Sequence, residues 1–582
     1  GAWCEYNKEL DRRDAYVKSV DECDPCSVLS SLWQLEITDR VITSIPFDDG
    51  SGEAEALDPD KLKQQGKILA YFYLHYERTR MLLGEAWAGS SNNWKACFAP
   101  QPLDEIKEYF GEQIALYFTW LGFYISMLWL PGLVGVFLSA SKTYYGASDT
   151  PWVSLYGILV SVWAMCVPLL WRRLEATKRY EWDTVDFKDS EDVRLAFMLD
   201  PSTEKGTHRN VVTGEIDEYY FDEGTYLPPR GRSGRCLFTF LFILALDVLS
   251  AKMSIWIYAT WVHPLLKPGD EMGGSLVGGC SFALMSEVFN FFFRLFSERL
   301  IEWENWRTET EHEDARILRL VMFNGVNKYF CFVLVAFLVN HVEFGGRDLK
   351  CPEYQCMPVL HTMLMVHFSA TLALQIWLQT IYPWAKRLVL DCVNDGPLEQ
   401  RAKAVVRLAP YEQQMEHPRF GGVIDKYQTF IFQFGYISCF TVALPIAPLI
   451  AVATNIYLLR THAATLLQAT QRPPWKGASD IGAWQYVLDA IATLAIITNS
   501  LIIGLTSHSL YFYFPEMTMV QRYWAVVFLE HTLFCIKVLI ENASWGTDKA
   551  LDEYERRNAA RDRHWVQTFR QPPRDADMDE DQ

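Results

Sequence analysis

The chain carries no Walker loop, no GxGxxG, no HExxH and no nucleophile elbow. The glycine pairs in GGVID and VGGC stand alone, without the spacing that cradles a phosphate. Catalytic chemistry therefore has no support, and the chain is read as a non-enzyme. Residues 1–35 lack an uninterrupted apolar h-region, so no cleavable signal peptide is expected. The first long apolar run would serve as the targeting signal. Neither end shows a retention or lipidation signal. A cysteine framework is missing as well. Most of the 13 cysteines are scattered, and five fall singly in apolar runs, where they read as small core residues. Cys23 and Cys26 form an isolated CxxC with no second ligand pair for zinc, and read as free thiols.

What is present is apolar and clustered. Half of the 582 residues are hydrophobic and 14% are aromatic. Runs of about twenty apolar residues recur, each long enough for a bilayer core of about 30 Å. Ten are read, near 115–140, 151–171, 236–262, 275–296, 318–342, 358–383, 427–444, 445–460, 484–507 and 522–541. The expected fold class is an all-α polytopic membrane protein of ten transmembrane helices, with a small cytoplasmic α+β domain at the N-terminus. The formal net charge of −18 says little by itself, because acid gathers in Glu298–Asp314 and in the tail DADMDEDQ. Basic residues sit in other connections, WRRLEATKR, RGRSGR, KRLVL…RAKAVVR and QRPPWK, which the positive-inside rule puts in the cytoplasm. That alternation requires LPIAP at 444–448 to be a turn between two helices. An even number of crossings then leaves both termini cytoplasmic. Cys351 and Cys356 fall in an outer loop before the sixth crossing and are expected to pair there if that side is oxidising.

Residues 1–105 read as the α+β domain, in which WQLEITDRVI and KILAYFYLHY suit strands or short helices and DPDKLKQQG a helix start. A cytoplasmic insert spans 183–230, with GEIDEYYF and GTYLPP extended. The ten-helix region spans 106–545. The remainder, 546–582, reads as a surface helix followed by a disordered acidic tail.

Six segments occur in order that resemble one family. They are YFGEQIALYFTWLGFYISML, RYEWDTVDF, EWENWRTETEHED, VNKYFCFVLVAF, QFGYISCFTVALPIAPLIAVATNIYLLR and DIGAWQYVL. From about Tyr109 to about Asn542 the chain is similar to the anoctamins. The resemblance implies a homodimer of ten-helix subunits joined through helix ten. It implies calcium-activated chloride channel or phospholipid scramblase activity, in a groove walled by helices three to seven. Membrane lipids are the implied partners, a larger membrane assembly is admitted, and no nucleic acid is expected.

The resemblance also implies a calcium site between helices six, seven and eight, where carboxylates would offset the ion's charge. In this chain the corresponding positions are Gln375 and Gln379 on helix six, Lys426 and Thr429 on helix seven, and Leu458 and His462 on helix eight. All five carboxylates are absent, so no calcium cofactor is expected there. Asp425 is one residue off, rotated about 100° around the helix. Glu412 and Glu416 read as solvated loop acids. Lys426 would then act as a built-in cation, with transport constitutive or gated otherwise. The alternative is a subunit that has lost gate and activity together and serves as scaffold or tether.

Charged residues inside a bilayer are costly unless they face water or a partner. Glu287 and Arg294 lie seven residues apart in the fourth crossing, and Lys328 lies beside Asn327 in the fifth. Glu287, Asn290, Arg294, Asn327 and Lys328 are read as lining a polar furrow for lipid headgroups or anions. His341, His361 and His367 near the outer ends of helices five and six read as interfacial packing. Plasma membrane and endoplasmic reticulum are equally compatible with the sequence.

Overall fold

The computed structural model describes residues 31–44, 46–48, 54–56, 71–88, 100–145, 149–182, 205–209, 216–220, 232–266, 272–340, 349–377, 410–415 and 417–544, with isolated positions between them. The CxxC of Cys23 and Cys26, the extended reading of GTYLPP, Gln379, Glu416, His341 and the C-terminal surface helix and tail lie outside those described residues.

Helix dominates. The first helix, α1 (Ser31–Ser44), covers WQLEITDRVI, and a short ladder follows in which β1 (Pro46–Asp48) pairs antiparallel with β2 (Ala54–Ala56). The α2 helix (Glu77–Leu83) and α3 (Leu103–Phe110) lead into the long helices. In KILAYFYLHY the described residues form no helix, and Tyr73 makes a single bridge to Arg472. Within the 183–230 insert, β3 (Lys205–Arg209) and β4 (Ile216–Tyr220) pair antiparallel, so the IDEYY part of GEIDEYYF is extended.

Among the described residues eight helices are long and apolar enough to cross a bilayer. They are α4 (Glu112–Tyr145), α5 (Trp152–Glu181), α6 (Arg232–Ile257, continued to Leu265), α7 (Met272–Glu304), α8 (Glu309–Val333, continued to Leu338), α9 (Met357–Ile376), α13 (Trp484–Leu501, continued to Thr506) and α15 (Met519–Ser544). Between α9 and α13 lie the short α10 (Pro410–Met415), then α11 (Ile424–Phe440) and α12 (Ala447–Gln468). These last two stand outside the eight, α11 because it has only 17 residues and α12 because Asn455, Arg460 and His462 dilute its apolar run. A one-turn helix, α14 (Ser509–Tyr513), precedes α15.

Two features of this packing follow from proline. Pro131 inside α4 has no N–H to give the Met127 carbonyl one turn back. The indole Nε1 of Trp163 on α5 donates to that carbonyl at 2.8 Å, so the orphaned acceptor is satisfied and the two helices are joined. At LPIAP the helix stops, and α12 starts again with Pro448 in its first turn. The chain reverses there, because Asn455 of α12 donates to Gln433 of α11 at 2.7 Å, each residue about two turns from the bend.

The core is built by α4, α5, α11, α12 and α13, whose facing side chains form one continuous apolar cluster. Beside it α6, α7 and α8 form a three-helix group, with α9 laid against α7. Gly279 makes that last contact close, since a Cβ there would stand 2.7 Å from Val366.

Candidate functional site

Helix α7 runs antiparallel to both α6 and α8. Arg235 of α6 donates to the Trp303 carbonyl at 2.9 Å, while Ser254 reaches Met285 at 3.8 Å. Against α8, Glu304 pairs with Arg319 at 3.3 Å, Glu298 with Arg316 at 3.3 Å and Glu287 with Lys328 at 3.7 Å. Positions 287, 290, 294 and 298 recur at three- and four-residue intervals and share one face of α7.

That face carries a polar stripe. Glu287 meets Lys328, and Arg294 reaches Asp425 in the first turn of α11 at 4.0 Å. Glu298 and Arg316 close the end nearest Glu304. Asn290, Arg294, Glu298, Arg316 and Asp425 line a cavity of about 80 Å³. Acid and base alternate along the stripe, and the three pairs cancel in charge. The Lys328 ammonium also lies 5.8 Å from the centre of the Phe432 ring on α11, within reach of a cation–π contact.

Four of the five residues read as furrow-lining therefore lie on or beside this stripe: Glu287, Asn290, Arg294 and Lys328. Asn327 is placed behind it. Its amide nitrogen donates to the Ser286 carbonyl at 3.0 Å, and its oxygen accepts from Ser250 at 3.0 Å. Three members were not picked out from the sequence: Asp425 as a partner of Arg294, and the Glu298–Arg316 pair. The spacing of 298 from 294 and 287 was the available signal. The partner helices gave none.

The positions corresponding to the calcium carboxylates come together on two levels. With Gln433 opposite Asn455 in the α11–α12 hairpin, Lys426 falls level with His462, and Thr429 with Leu458. Lys426 stands 5.6 Å from the centre of the Phe420 ring. Buried His462 shares a 2.7 Å hydrogen bond with the Tyr117 hydroxyl of α4, and Leu458 is fully enclosed. The Thr429 hydroxyl donates to the Asp425 carbonyl at 3.4 Å. Gln375 is on α9, but its side chain lies outside the described residues. Glu412 sits on α10. Among the described residues no three His, Cys, Asp or Glu side chains form a group able to hold a metal.

At the other end of these helices, Cys351 and Cys356 are bonded through their sulfurs. His361 bonds the Ala443 carbonyl at 2.8 Å, and His367 packs on Tyr436 and Phe332.

Comparison with known proteins bears on the whole of this region. A family model described as "Anoctamin: Calcium-activated chloride channel" matches residues 106–558. Mouse Anoctamin-7 is 27% identical over 493 residues, covering 74% of this chain and 55% of that protein. Human Anoctamin-7 is 26% identical over 493 residues, with 74% and 51% covered. Human Anoctamin-4 is 24% identical over 567 residues, with 84% and 57% covered. The chain spans about half the length of the curated relatives it matches.

Proposed function

From the premise that this chain belongs to the anoctamin family, we propose that it moves phospholipids or anions through a membrane groove without calcium at the family's usual site. The observation that carries the reading is the alternating stripe Glu287–Lys328, Arg294–Asp425 and Glu298–Arg316. Evenly paired charge along one membrane helix is costly against lipid tails and is tolerable beside water or headgroups. A phospholipid headgroup, with its phosphate and its amine or choline, can exchange partners stepwise along such a row. An anion would be passed from Arg316 to Arg294 to Lys328.

Independence from calcium rests on Lys426, Thr429, Leu458 and His462. A cation, a hydroxyl, an alkyl group and a hydrogen-bonded imidazole stand where the ion would need several anionic oxygens. In this reading Lys426 supplies the positive charge permanently. The subunit is further proposed to have ten crossings, with α11 and α12 as two of them, both termini cytoplasmic, and residues 1–105 as a cytoplasmic α+β domain. It forms a homodimer through α15, in the plasma membrane or the endoplasmic reticulum. No cofactor and no enzymatic step is part of the proposal.

A second reading, a non-transporting scaffold or tether, is favoured by one feature: each charge of the stripe already has a partner within 4.0 Å, so the row can act as a zipper.

Purified protein in liposomes separates the readings. Fluorescent-lipid scrambling and anion flux are followed in EGTA and in millimolar calcium. Equal transport in both supports the proposal. Transport only with calcium overturns the calcium-independent gate, and absence of both fluxes in both conditions leaves the scaffold.

A further inference from the structure

Behind the polar stripe, α6, α7 and α8 bury a second set of polar groups. Ser250, Asn327 and Ser286 satisfy one another across the three helices. One helix turn closer to the Glu304 end of α7 come Asp247 on α6, Asn324 on α8 and Asn290 on α7. The register follows from contacts already given. Ser254–Met285 and Arg235–Trp303 set Asp247 level with residues 291–292 of α7. Glu287–Lys328 and Glu298–Arg316 set Asn324 level with Asn290. Asp247 lies three residues from Ser250, and Asn324 three from Asn327, so both share the inward face of those bonded residues.

Asp247 is 9% exposed, Asn290 7% and Asn324 0%. The Oδ1 atoms of Asp247 and Asn324 are enclosed, and among the described residues no donor reaches either. Asn324 gives its amide N–H to the Leu320 carbonyl of its own helix, at 3.2 Å, which leaves its oxygen turned to the interior. Two enclosed acceptors on facing helices, neither of which receives a hydrogen bond, are unfavourable unless something electropositive satisfies both.

We propose that Asp247, Asn324 and Asn290 form a site for one small alkali cation between α6, α7 and α8. The donors are all hard oxygens, which suits an alkali or alkaline-earth ion and not a transition metal. A single carboxylate matches a single positive charge, and a divalent ion would keep one charge uncompensated in low dielectric. Asn290 also lines the cavity at Arg294 and Asp425, so the proposed site borders that cavity. This place is separate from the Lys426–His462 level on α11 and α12, and its ligands are different residues.

The test uses the full chain in detergent. Thermal unfolding is recorded in sodium, potassium and N-methylglucamine chloride at equal ionic strength and pH, alongside retention of radioactive sodium. The expected result is a saturable rise of a few degrees in the midpoint with an alkali salt over N-methylglucamine, as mass action on the folded state requires. About one ion per subunit is retained. Asp247→Asn, which keeps the side chain's shape, abolishes both. Asn324→Ala weakens half-saturation about tenfold. Equal midpoints in all three salts with no sodium retained overturn the site. So does a midpoint that follows pH alone, which assigns the two oxygens to a proton. Neither readout involves transport, so failure here is distinguishable from failure of the groove.

Discussion

Replacing Lys328 by methionine leaves the half-exposed Glu287 carboxylate without the cation that stands 3.7 Å away. Methionine keeps most of the side chain's length and removes both the ion pair and the ammonium's contact with the Phe432 ring, so the loss is one of charge. We expect a lower unfolding midpoint for Lys328→Met and for Glu287→Lys. The exchanged pair Glu287→Lys with Lys328→Glu recovers part of the loss. A double-mutant cycle built from Glu287→Lys, Lys328→Glu and the exchanged pair should give a coupling of at least about 0.5 kcal/mol. Additive losses would show that the two charges act separately. A second residue-scale prediction concerns His75, outside the membrane helices. Its ring lies between the Tyr109 hydroxyl at 3.0 Å and the Thr470 carbonyl at 3.1 Å. Burial lowers its pKa to about 4, with Arg472 adding to the effect and the Thr470 carbonyl opposing it. An unfolded histidine titrates near 6.5, so between about 6.5 and about 4 the unfolded chain binds a proton that the folded chain refuses. Stability from this site is complete above about pH 6.5 and falls as pH drops towards 4. Thermal unfolding at pH 7.5 and pH 5 should show wild type losing more than His75→Gln, by on the order of 1–2 kcal/mol. Equal losses would remove His75 as the cause.

At the scale of elements, the bend between α11 and α12 shows how a chain reverses inside a packed bundle. Four successive carbonyls, of Val442, Ala443, Leu444 and Pro445, receive Lys142, His361, Thr441 and Tyr156 respectively, at 2.8–3.5 Å. Backbone that leaves a helix must find such partners, because lipid offers none. Gly135 of α4 makes room for the bend: a Cβ there would stand 1.9 Å from the Pro445 carbonyl oxygen. Since that atom is backbone, the clash cannot be relieved by a side-chain turn. Gly135→Ala is expected to cost about 1–3 kcal/mol and to lower the unfolding midpoint. Gly273→Ala on α7, with open space at its Cβ, is the control and should leave the midpoint within about a degree. The prolines made this bend legible in the sequence, as the apolar runs made the eight long helices legible. The spacing of 287, 290 and 294 likewise marked one face of α7. What stayed hidden depended on partners far away in the chain. Nothing local sends Asn327 to Ser250 and Ser286 while its neighbour Lys328 meets Glu287. Nor does anything local tie Asp425 to Arg294, 131 residues earlier. Those choices are set by the mutual register of four helices, which one sequence does not encode as a period. Helix-like regularity in WQLEITDRVI was equally ambiguous, because a short stretch with apolar residues at mixed intervals fits either period.

At the scale of the whole molecule, the open matter is whether α11 and α12 each cross the membrane or dip in and return. The 34 residues of α4 serve as a ruler. Near one end of α4, Glu112 accepts from Trp475, just beyond α12, at 2.9 Å, and Tyr117 meets His462 at 2.7 Å. Near its other end, Gly135 touches Pro445 and Lys142 reaches Val442. The hairpin therefore covers most of the length of α4, which itself is long enough for a bilayer. The same bend also meets His361 at the start of α9, five residues after the disulfide. If α4 crosses once, the bend at 441–446 belongs to the face of the membrane that holds the α4–α5 connection and Cys351–Cys356. The measurement is labelling by a membrane-impermeant maleimide, with every cysteine except the disulfide pair Cys351 and Cys356 replaced by serine. Single cysteines are introduced at Ile446, at Tyr144 and, before α4, at Glu105. Ile446→Cys and Tyr144→Cys should react from one side of a sealed vesicle, and Glu105→Cys only from the other. Ile446→Cys reacting together with Glu105→Cys would make the hairpin re-entrant. It would also leave eight crossings, with the Lys426–His462 level still beside Tyr117 at the Glu112 end of α4.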